Sequence, residues 1–231
     1  MAITVIAPAL KLATGINVFT LPAERQPELI KTLHAISNEI ITHKYPMNVA
    51  ANFHRGIDAP IVINYNQYND RKSGQFLRTQ PVAKALLDKT HELSDKHELR
   101  WYEVEEVVTT EAPSDRLEIS ETRHNLAVIG IWAVEPAQQN DLLALLRHYG
   151  EAVKAARAPG FIGLATHRGF KPEHVASYEQ WASAENYRQA TDHGAAAEAL
   201  AQMRAIALEA SLHCYDVLSV QRFDLDQPAT M

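Results

Sequence analysis

The segment VINYNQY at residues 62–68 returns 113 positions later as VASYEQW at residues 175–181. Two further matches keep the same offset: HRG at 54–56 returns at 167–169, and YEV at 102–104 returns as YDV at 215–217. Similarity at one constant spacing is the signature of a structural unit that occurs twice in one chain. The sequence therefore predicts a tandem repeat without an insertion between the matched positions.

The repeat predicts two domains, residues 13–111 and residues 125–225. The segment between them, residues 112–124, is polar and begins with Ala-Pro, which is typical of a linker. Each domain is predicted to contain strand, helix, two strands, helix and strand, in that order. The second helical region is expected at residues 71–96 in the first domain, with a break near Pro81, and at residues 185–212 in the second.

The order β-α-β-β-α-β is that of the ferredoxin-like fold. Ile61 and Ile63 lie on one side of their predicted strand, and Val62 and Tyr68 lie on the other, so both faces must be covered. Helices can cover one face, and the sheet of the other copy can cover the second. The predicted fold class is α+β, with two ferredoxin-like repeats that form a dimeric α+β barrel within one chain.

Composition limits the partners and the location. The chain of 231 residues has a net charge of −6 and no basic tract, so we expect no nucleic-acid partner. No apolar stretch approaches the roughly 20 residues of a membrane span, and the N-terminal apolar run lacks a basic n-region, so we expect neither a membrane association nor a signal peptide. The single cysteine, Cys214, suits a reducing compartment. Together these features predict a cytoplasmic protein.

The segments VFTLP, HRG, NYxQ followed by Tyr or Trp, and YEV or YDV resemble the antibiotic biosynthesis monooxygenase family. The resemblance covers both copies and implies a fused version of a barrel that other members form by dimerisation. Members include anthrone-type oxygenases, which make quinones without metal or flavin, and enzymes that degrade heme. The resemblance implies a cofactor-independent monooxygenase that uses O₂ to oxidise a small phenolic or anthrone-like molecule. The chain itself is expected to be a monomer or a homodimer.

Such a reaction needs an apolar pocket, hydrogen bonds to the developing phenolate or enolate, and exclusion of water. In the anthrone oxygenases the motif is Asn-Tyr-x-Gln-Trp, with a tyrosine six residues later. Each copy of this chain holds part of that set, and the implied catalytic residues are Asn64 and Tyr68 in the first copy and Trp181 and Tyr187 in the second. The candidate substrate-binding residues are Ser177, Asn17 and Trp132. The first copy has Gly74 where the tyrosine is expected, so the two pockets are predicted to have diverged.

Two alternatives remain open at this stage. The incomplete motifs are compatible with a non-catalytic member that binds a hydrophobic ligand or serves as a scaffold. The heme-degrading branch pairs an asparagine on the first strand with a tryptophan, but here Asn17 and Trp181 belong to different copies. An enzyme predicts a cavity on the order of a few hundred Å³ lined by Asn64 or Trp181, whereas a scaffold predicts that both positions are packed shut.

Histidines raise the question of a metal, because the chain has 11 of them. No His-x-His or His-Glu-x-x-His pattern is present, so we predict neither a metal site nor a bound cofactor. His54 and His167 occur at matching positions in the two copies, each followed by an arginine. Retention in both copies favours a structural role for this pair.

Overall fold

The computed structural model describes residues 2–45 and 48–223. The final two residues of the predicted second domain, 224 and 225, therefore lie outside the described residues. The described strands are β1 Thr4–Ile6, β2 Ala13–Thr20, β3 Asn48–Gly56, β4 Ile61–Tyr68, β5 Lys96–Thr109, β6 Leu117–Ile119, β7 Leu126–Val134, β8 Phe161–Gly169, β9 His174–Trp181 and β10 Ala207–Arg222. The described α-helices are α1 Gln26–His43, α2 Ser73–Leu77, α3 Pro81–Leu93, α4 Gln139–Ala155, α5 Ala184–Thr191 and α6 Gly194–Ile206.

Eight strands close into one barrel in the order β10-β3-β4-β2-β5-β8-β9-β7, and this confirms the predicted α+β barrel. The pairings of the two halves correspond residue by residue: Asn17 lies opposite Asn64 between β2 and β4, and Gly130 lies opposite Ser177 between β7 and β9. The two halves pair with each other through two antiparallel strand pairs, β5–β8 and β10–β3. No helix of the described residues is long and apolar enough to cross a membrane.

Strand alternation separates the barrel interior from its outer face, because successive side chains point to opposite sides. Ile63 and Tyr65 belong to the buried cluster inside the barrel, whereas Val62 packs with α1 and α3 outside it. A third cluster joins α4 and α6 to the outer face of the second half. The helices therefore cover two separate outer faces, and each face offers one place for a pocket.

The segment predicted as a linker contains β6, which pairs with β1 beside the barrel. Leu117 and Ile119 are buried in the same cluster as the barrel interior, so part of this segment belongs to the core. Gln67 donates from Nε2 to the Val5 carbonyl, and Gln180 donates to the Glu118 carbonyl, at 2.8 and 2.9 Å. The matched glutamines thus hold the two short strands, and the division into domains stays a prediction.

The helical region predicted at 185–212 is wrong at its C-terminal end. α6 ends at Ile206, and β10 begins at Ala207. Residues of this segment pair with β7, for example Leu212 with Gly130, so backbone pairing in the barrel overrides the local helical pattern. In the first half, α2 and α3 replace one helix, as the break near Pro81 predicted.

The matched histidines join the two halves inside the barrel. His54 Nε2 lies 2.9 Å from the Tyr178 hydroxyl, and His167 Nε2 lies 2.9 Å from the Tyr65 hydroxyl. All four side chains are buried, and the two tyrosine rings lie edge to face with centroids 5.6 Å apart. The predicted structural role fits this geometry, because each contact joins one half of the barrel to the other.

Candidate functional site

The first half holds a cavity of about 60 Å³ between its helices and the outer face of β2, β4 and β5. Its walls include Phe19, Leu33 and Ile36, which are apolar and buried. Three of the predicted site residues, Asn64, Tyr68 and Asn17, line this cavity. The volume is smaller than the few hundred Å³ expected of an enzyme, so a ring-shaped ligand enters only if the lining side chains move apart.

Two amide side chains form the polar floor of the cavity. Asn17 and Asn64 are directly opposite each other on antiparallel strands, and this places their side chains next to each other on one face. The Asn64 Oδ1 atom is buried and has no hydrogen-bond partner among the described residues. An unpaired buried acceptor costs about 1–3 kcal/mol, so a ligand group that donates a hydrogen bond there gains affinity.

His97, on β5, adds a polar side chain from a third strand. Its Nε2 atom lies 3.1 Å from Asn17 Oδ1, and its ring stacks on Phe19 with centroids 4.6 Å apart. Burial, followed by the electrostatic influence of His91 and Arg78, lowers the pKa of His97 to about 4. The imidazole is therefore neutral at pH 7, and the same cavity lining includes His91 and Arg78.

Tyr68 supplies a hydroxyl at the edge of the same cavity. Burial raises the pKa of Tyr68 well above its usual value, so this hydroxyl stays protonated and can donate. Its ring packs against Trp101, with centroids 5.2 Å apart. A Cβ atom at Gly74 would lie 2.7 Å from the Trp101 ring, so the glycine at the expected tyrosine position makes room for Trp101.

The second half places larger side chains at the corresponding positions. Trp132 replaces Phe19, Trp181 replaces Tyr68, and both indoles are fully buried in the cluster below α4 and α6. Trp132 Nε1 donates to Ser177 Oγ at 3.4 Å. Tyr187 packs edge to face on Trp181 at 5.6 Å between centroids. These predicted site residues are together in space, but their rings pack against one another.

Gly130 shows why the first-half arrangement does not fit in the second half. It occupies the position that corresponds to Asn17 in the first half. A Cβ atom there would lie 2.4 Å from Ser177 Oγ and 2.5 Å from Trp132 Nε1. An asparagine at this position requires Trp132 and Ser177 to move.

A buried carboxyl group lies among these rings. Glu179 is 2 % exposed, and its Oε2 accepts hydrogen bonds from the Tyr149 hydroxyl at 2.9 Å and from Trp181 Nε1 at 3.0 Å. Burial raises the pKa of Glu179 to about 7, and these hydrogen bonds only partly oppose that shift. The second half therefore holds a buried carboxyl group that keeps its proton to a higher pH than an exposed glutamate does.

Glu179→Gln is expected to remove a pH-dependent loss of stability. The folded carboxyl binds its proton more tightly than the unfolded one, whose pKa is 4.5, so stability falls as pH rises from about 4.5 to 7. This loss is about 3 kcal/mol at roughly 1.4 kcal/mol per pKa unit. In urea unfolding, the free energy of unfolding of the variant, relative to that of the wild type, should increase by that amount between pH 4.5 and 8. Glu151→Gln, at an exposed position of α4, is the control and should show no such gain.

The sequence missed His97 as a site residue. His97, Leu99 and Trp101 alternate along β5 and line the cavity from that strand. This alternation is a usable signal for a strand. The helical region predicted for residues 71–96 ends directly before His97, and this hides the start of β5. His91, on α3, joins the site only because that helix packs beside β5, and its ring centroid lies 4.3 Å from that of His97.

The described residues at this site bring together neither a set of metal ligands nor the residue pair of the heme-degrading alternative. No group of three or more histidine, cysteine, aspartate or glutamate side chains within the described residues converges as metal ligands do. Asn17 and Trp181, which the heme-degrading alternative pairs, lie on separate outer faces of the barrel.

Residues 126–202 match the family model described as Antibiotic biosynthesis monooxygenase. A crystal structure described as an anthrone oxidase-like protein superposes with a TM-score of 0.85 at 22 % identity, covering 99 % of this chain and 100 % of that one. The sequence has no match among curated proteins.

Two candidate monooxygenases share the fold at lower similarity. The protein from Fusobacterium nucleatum has a TM-score of 0.64 at 9 % identity and covers 92 % of this chain and 94 % of its own. The protein from Lactobacillus acidophilus has a TM-score of 0.58 at 11 % identity and covers 92 % of this chain and 97 % of its own. At these identities the structural matches establish the fold.

Proposed function

We propose that this chain, whose residues 126–202 match the antibiotic biosynthesis monooxygenase family, is a cofactor-independent monooxygenase with its working site in the first half. The substrate is a small phenolic or anthrone-like molecule, and O₂ is the oxidant. The observation that carries the proposal is the unpaired Oδ1 of Asn64 beside Asn17 in a cavity with apolar walls. A phenolic hydroxyl offers the donor that this acceptor lacks.

The polar groups of the cavity suit the anion that such a substrate becomes. The amide groups of Asn17 and Asn64 and the hydroxyl of Tyr68 can donate hydrogen bonds to a phenolate or enolate oxygen. Arg78 adds a positive charge at the lining. Preorganised donors act most strongly where water is excluded, so ionisation of the substrate is favoured in this site.

The overall reaction needs no further reductant, because the substrate supplies all four electrons that reduce O₂. For an anthrone, the products are the anthraquinone and one molecule of water. The electron-rich anion reacts with O₂, a carbon–oxygen bond forms, and loss of water leaves the second carbonyl. The protein binds the substrate, stabilises its anion and excludes bulk water from the reacting atoms.

The second half supports the barrel and does not carry the reaction in this proposal. Its motif residues Ser177, Trp181 and Tyr187 pack with Trp132 on the second outer face. The filled site also explains why the two halves differ at these positions. One half keeps a cavity, and the other uses the same positions for apolar packing.

Asn64→Leu is expected to lower kcat/KM for dithranol oxidation by about 100-fold, the usual effect of losing one anion-stabilising donor. The reaction is followed by O₂ consumption and quinone absorbance with metal-free protein. Ser177→Ala and Trp181→Phe alter the corresponding positions of the second half and should keep kcat/KM within about threefold of the wild type. A large loss of kcat/KM in Ser177→Ala or Trp181→Phe, with little loss in Asn64→Leu, would place the reaction in the second half.

The runner-up function is a binding protein without turnover, and the incomplete family motif in each half favours it. Trp101 lines the cavity, so an aromatic ligand should quench its fluorescence. Quenching that is lost in Asn64→Leu, without oxidation above the spontaneous rate for several phenols and anthrones, would support the binding protein and contradict the monooxygenase.

A further inference from the structure

We propose that His97 is the catalytic base of the first-half site and takes the proton of the bound substrate. This inference rests on the proposed function, because it assigns a residue to the same cavity. His97 was absent from the motif residues that the sequence analysis selected. Its assignment comes from three neighbouring strands, which place Asn64 opposite Asn17 and bring His97 within hydrogen-bond distance of Asn17.

The hydrogen bond to Asn17 determines which ring nitrogen can accept a proton. The Oδ1 atom of Asn17 is an acceptor, so the Nε2 atom at 3.1 Å carries the hydrogen and donates it. The other ring nitrogen, Nδ1, therefore keeps its lone pair. Asn17 thus has the role of an orienting group that holds one tautomer, as the third member does in a catalytic triad.

Packing fixes the ring in addition to this hydrogen bond. The imidazole stacks on Phe19 with an interplanar angle of 15° and a centroid distance of 4.6 Å. His97 and Phe19 are directly paired across β5 and β2, so the stack follows from the strand register. A base that is held by both a ring contact and a hydrogen bond needs little reorganisation when the substrate binds.

The charged groups around His97 come from three elements. His91 belongs to α3, Arg78 directly follows α2, and Glu98 is the next residue on β5. His91 and Arg78 disfavour an imidazolium in the empty site. A phenolate that forms beside the ring supplies the opposite charge, so protonation of His97 becomes favourable only together with ionisation of the substrate.

The proton steps balance over the catalytic cycle. The substrate O–H or acidic C–H bond breaks, an N–H bond forms at Nδ1, and the electron pair stays on the substrate anion. After the anion combines with O₂, His97 returns its proton to the terminal peroxide oxygen. In the anthrone case, loss of the remaining C–H proton and cleavage of the O–O bond release one water and form the quinone. His97 ends the cycle neutral.

The test uses 4-nitrophenol, whose phenol and phenolate forms absorb at different wavelengths. The pKa of 4-nitrophenol bound to the wild-type protein should be at least about one unit lower than its pKa when it is bound to His97→Gln. An adjacent opposite charge produces a shift of this size. Glutamine can still donate to Asn17 but cannot accept the proton. His148→Gln, at an exposed position of α4 away from the cavity, is the control and should behave as the wild type does.

Several outcomes would overturn the assignment. Equal ionisation of the probe in wild type and His97→Gln shows that another group accepts the proton, and His97→Asn repeats the comparison if the glutamine variant is unfolded by circular dichroism. Unchanged dithranol oxidation in His97→Gln has the same meaning. Wild-type protein that neither binds the probe nor oxidises dithranol refutes the proposed site itself, so the two failures are distinguishable.

Discussion

Ile36→Tyr is expected to abolish oxidation of dithranol and binding of aromatic ligands, with losses of about 100-fold or more, equal to about 2.7 kcal/mol. Ile36 is 7 % exposed and lines the cavity from α1. The corresponding residue of the second half is Tyr149, whose buried side chain packs in the cluster around Trp181. The substitution therefore gives the first half a side chain that helps to fill the second.

Ile41→Tyr is the matched control for this experiment. Ile41 lies on the same helix but is 45 % exposed, so a tyrosine there should leave turnover and binding unchanged. Overpacking at position 36 costs about 1–3 kcal/mol, and thermal unfolding measures that cost separately. A folded Ile36→Tyr protein with wild-type kcat/KM and wild-type quenching of Trp101 would show that the cavity is not the site.

Acidification from pH 7 to pH 4 is expected to destabilise the protein by about 3 kcal/mol for each of His54 and His167, at roughly 1.4 kcal/mol per pKa unit. Burial lowers the pKa of both histidines from 6.5 to about 4. Between these values the unfolded chain binds a proton that the folded chain does not, so the stability present above pH 6.5 is lost as pH falls. Glu179, whose folded pKa is raised, opposes this trend between pH 4.5 and 7.

His54→Gln isolates the contribution of this histidine to the loss of stability in acid. The variant is less stable at pH 7, because it loses a buried hydrogen bond to Tyr178. In urea unfolding, the free energy of unfolding should fall between pH 7 and pH 4.5 by about 2–3 kcal/mol less in this variant than in the wild type. His148→Gln, at an exposed position, should leave the pH dependence unchanged. If His54→Gln also leaves it unchanged, the acid sensitivity arises elsewhere.

Most of the fold could be predicted from local pattern. The strand β4 occupies the predicted residues, and the alternation that assigned Ile63 to one face and Val62 to the other holds in the barrel. The errors lie where distant pairing decides the structure. Residues 207–212 have a helical pattern but pair with β7, and the polar segment around β6 contributes two residues to the core.

The candidate site was predictable only in part. Motif spacing selected Asn64 and Tyr68, the family resemblance added Asn17, and the structure brings these three to one cavity. The same spacing selected Trp181 and Tyr187, which pack in the second half. Spacing cannot distinguish an open position from a filled one, because the volume of the pocket depends on residues outside the motif.

The sequence by itself determined the order of elements and the faces of the strands, because these follow from local periodicity, and its resemblance to a family supplied the polar motif positions. Only the tertiary structure decided that the motif positions of the first half line a cavity and that His97 joins Asn17 there. That decision depends on pairs such as Ile36 and Tyr149, which come from helices distant in sequence from the motif strands. Side-chain volumes from separate elements fill or leave a space only when those elements are packed together.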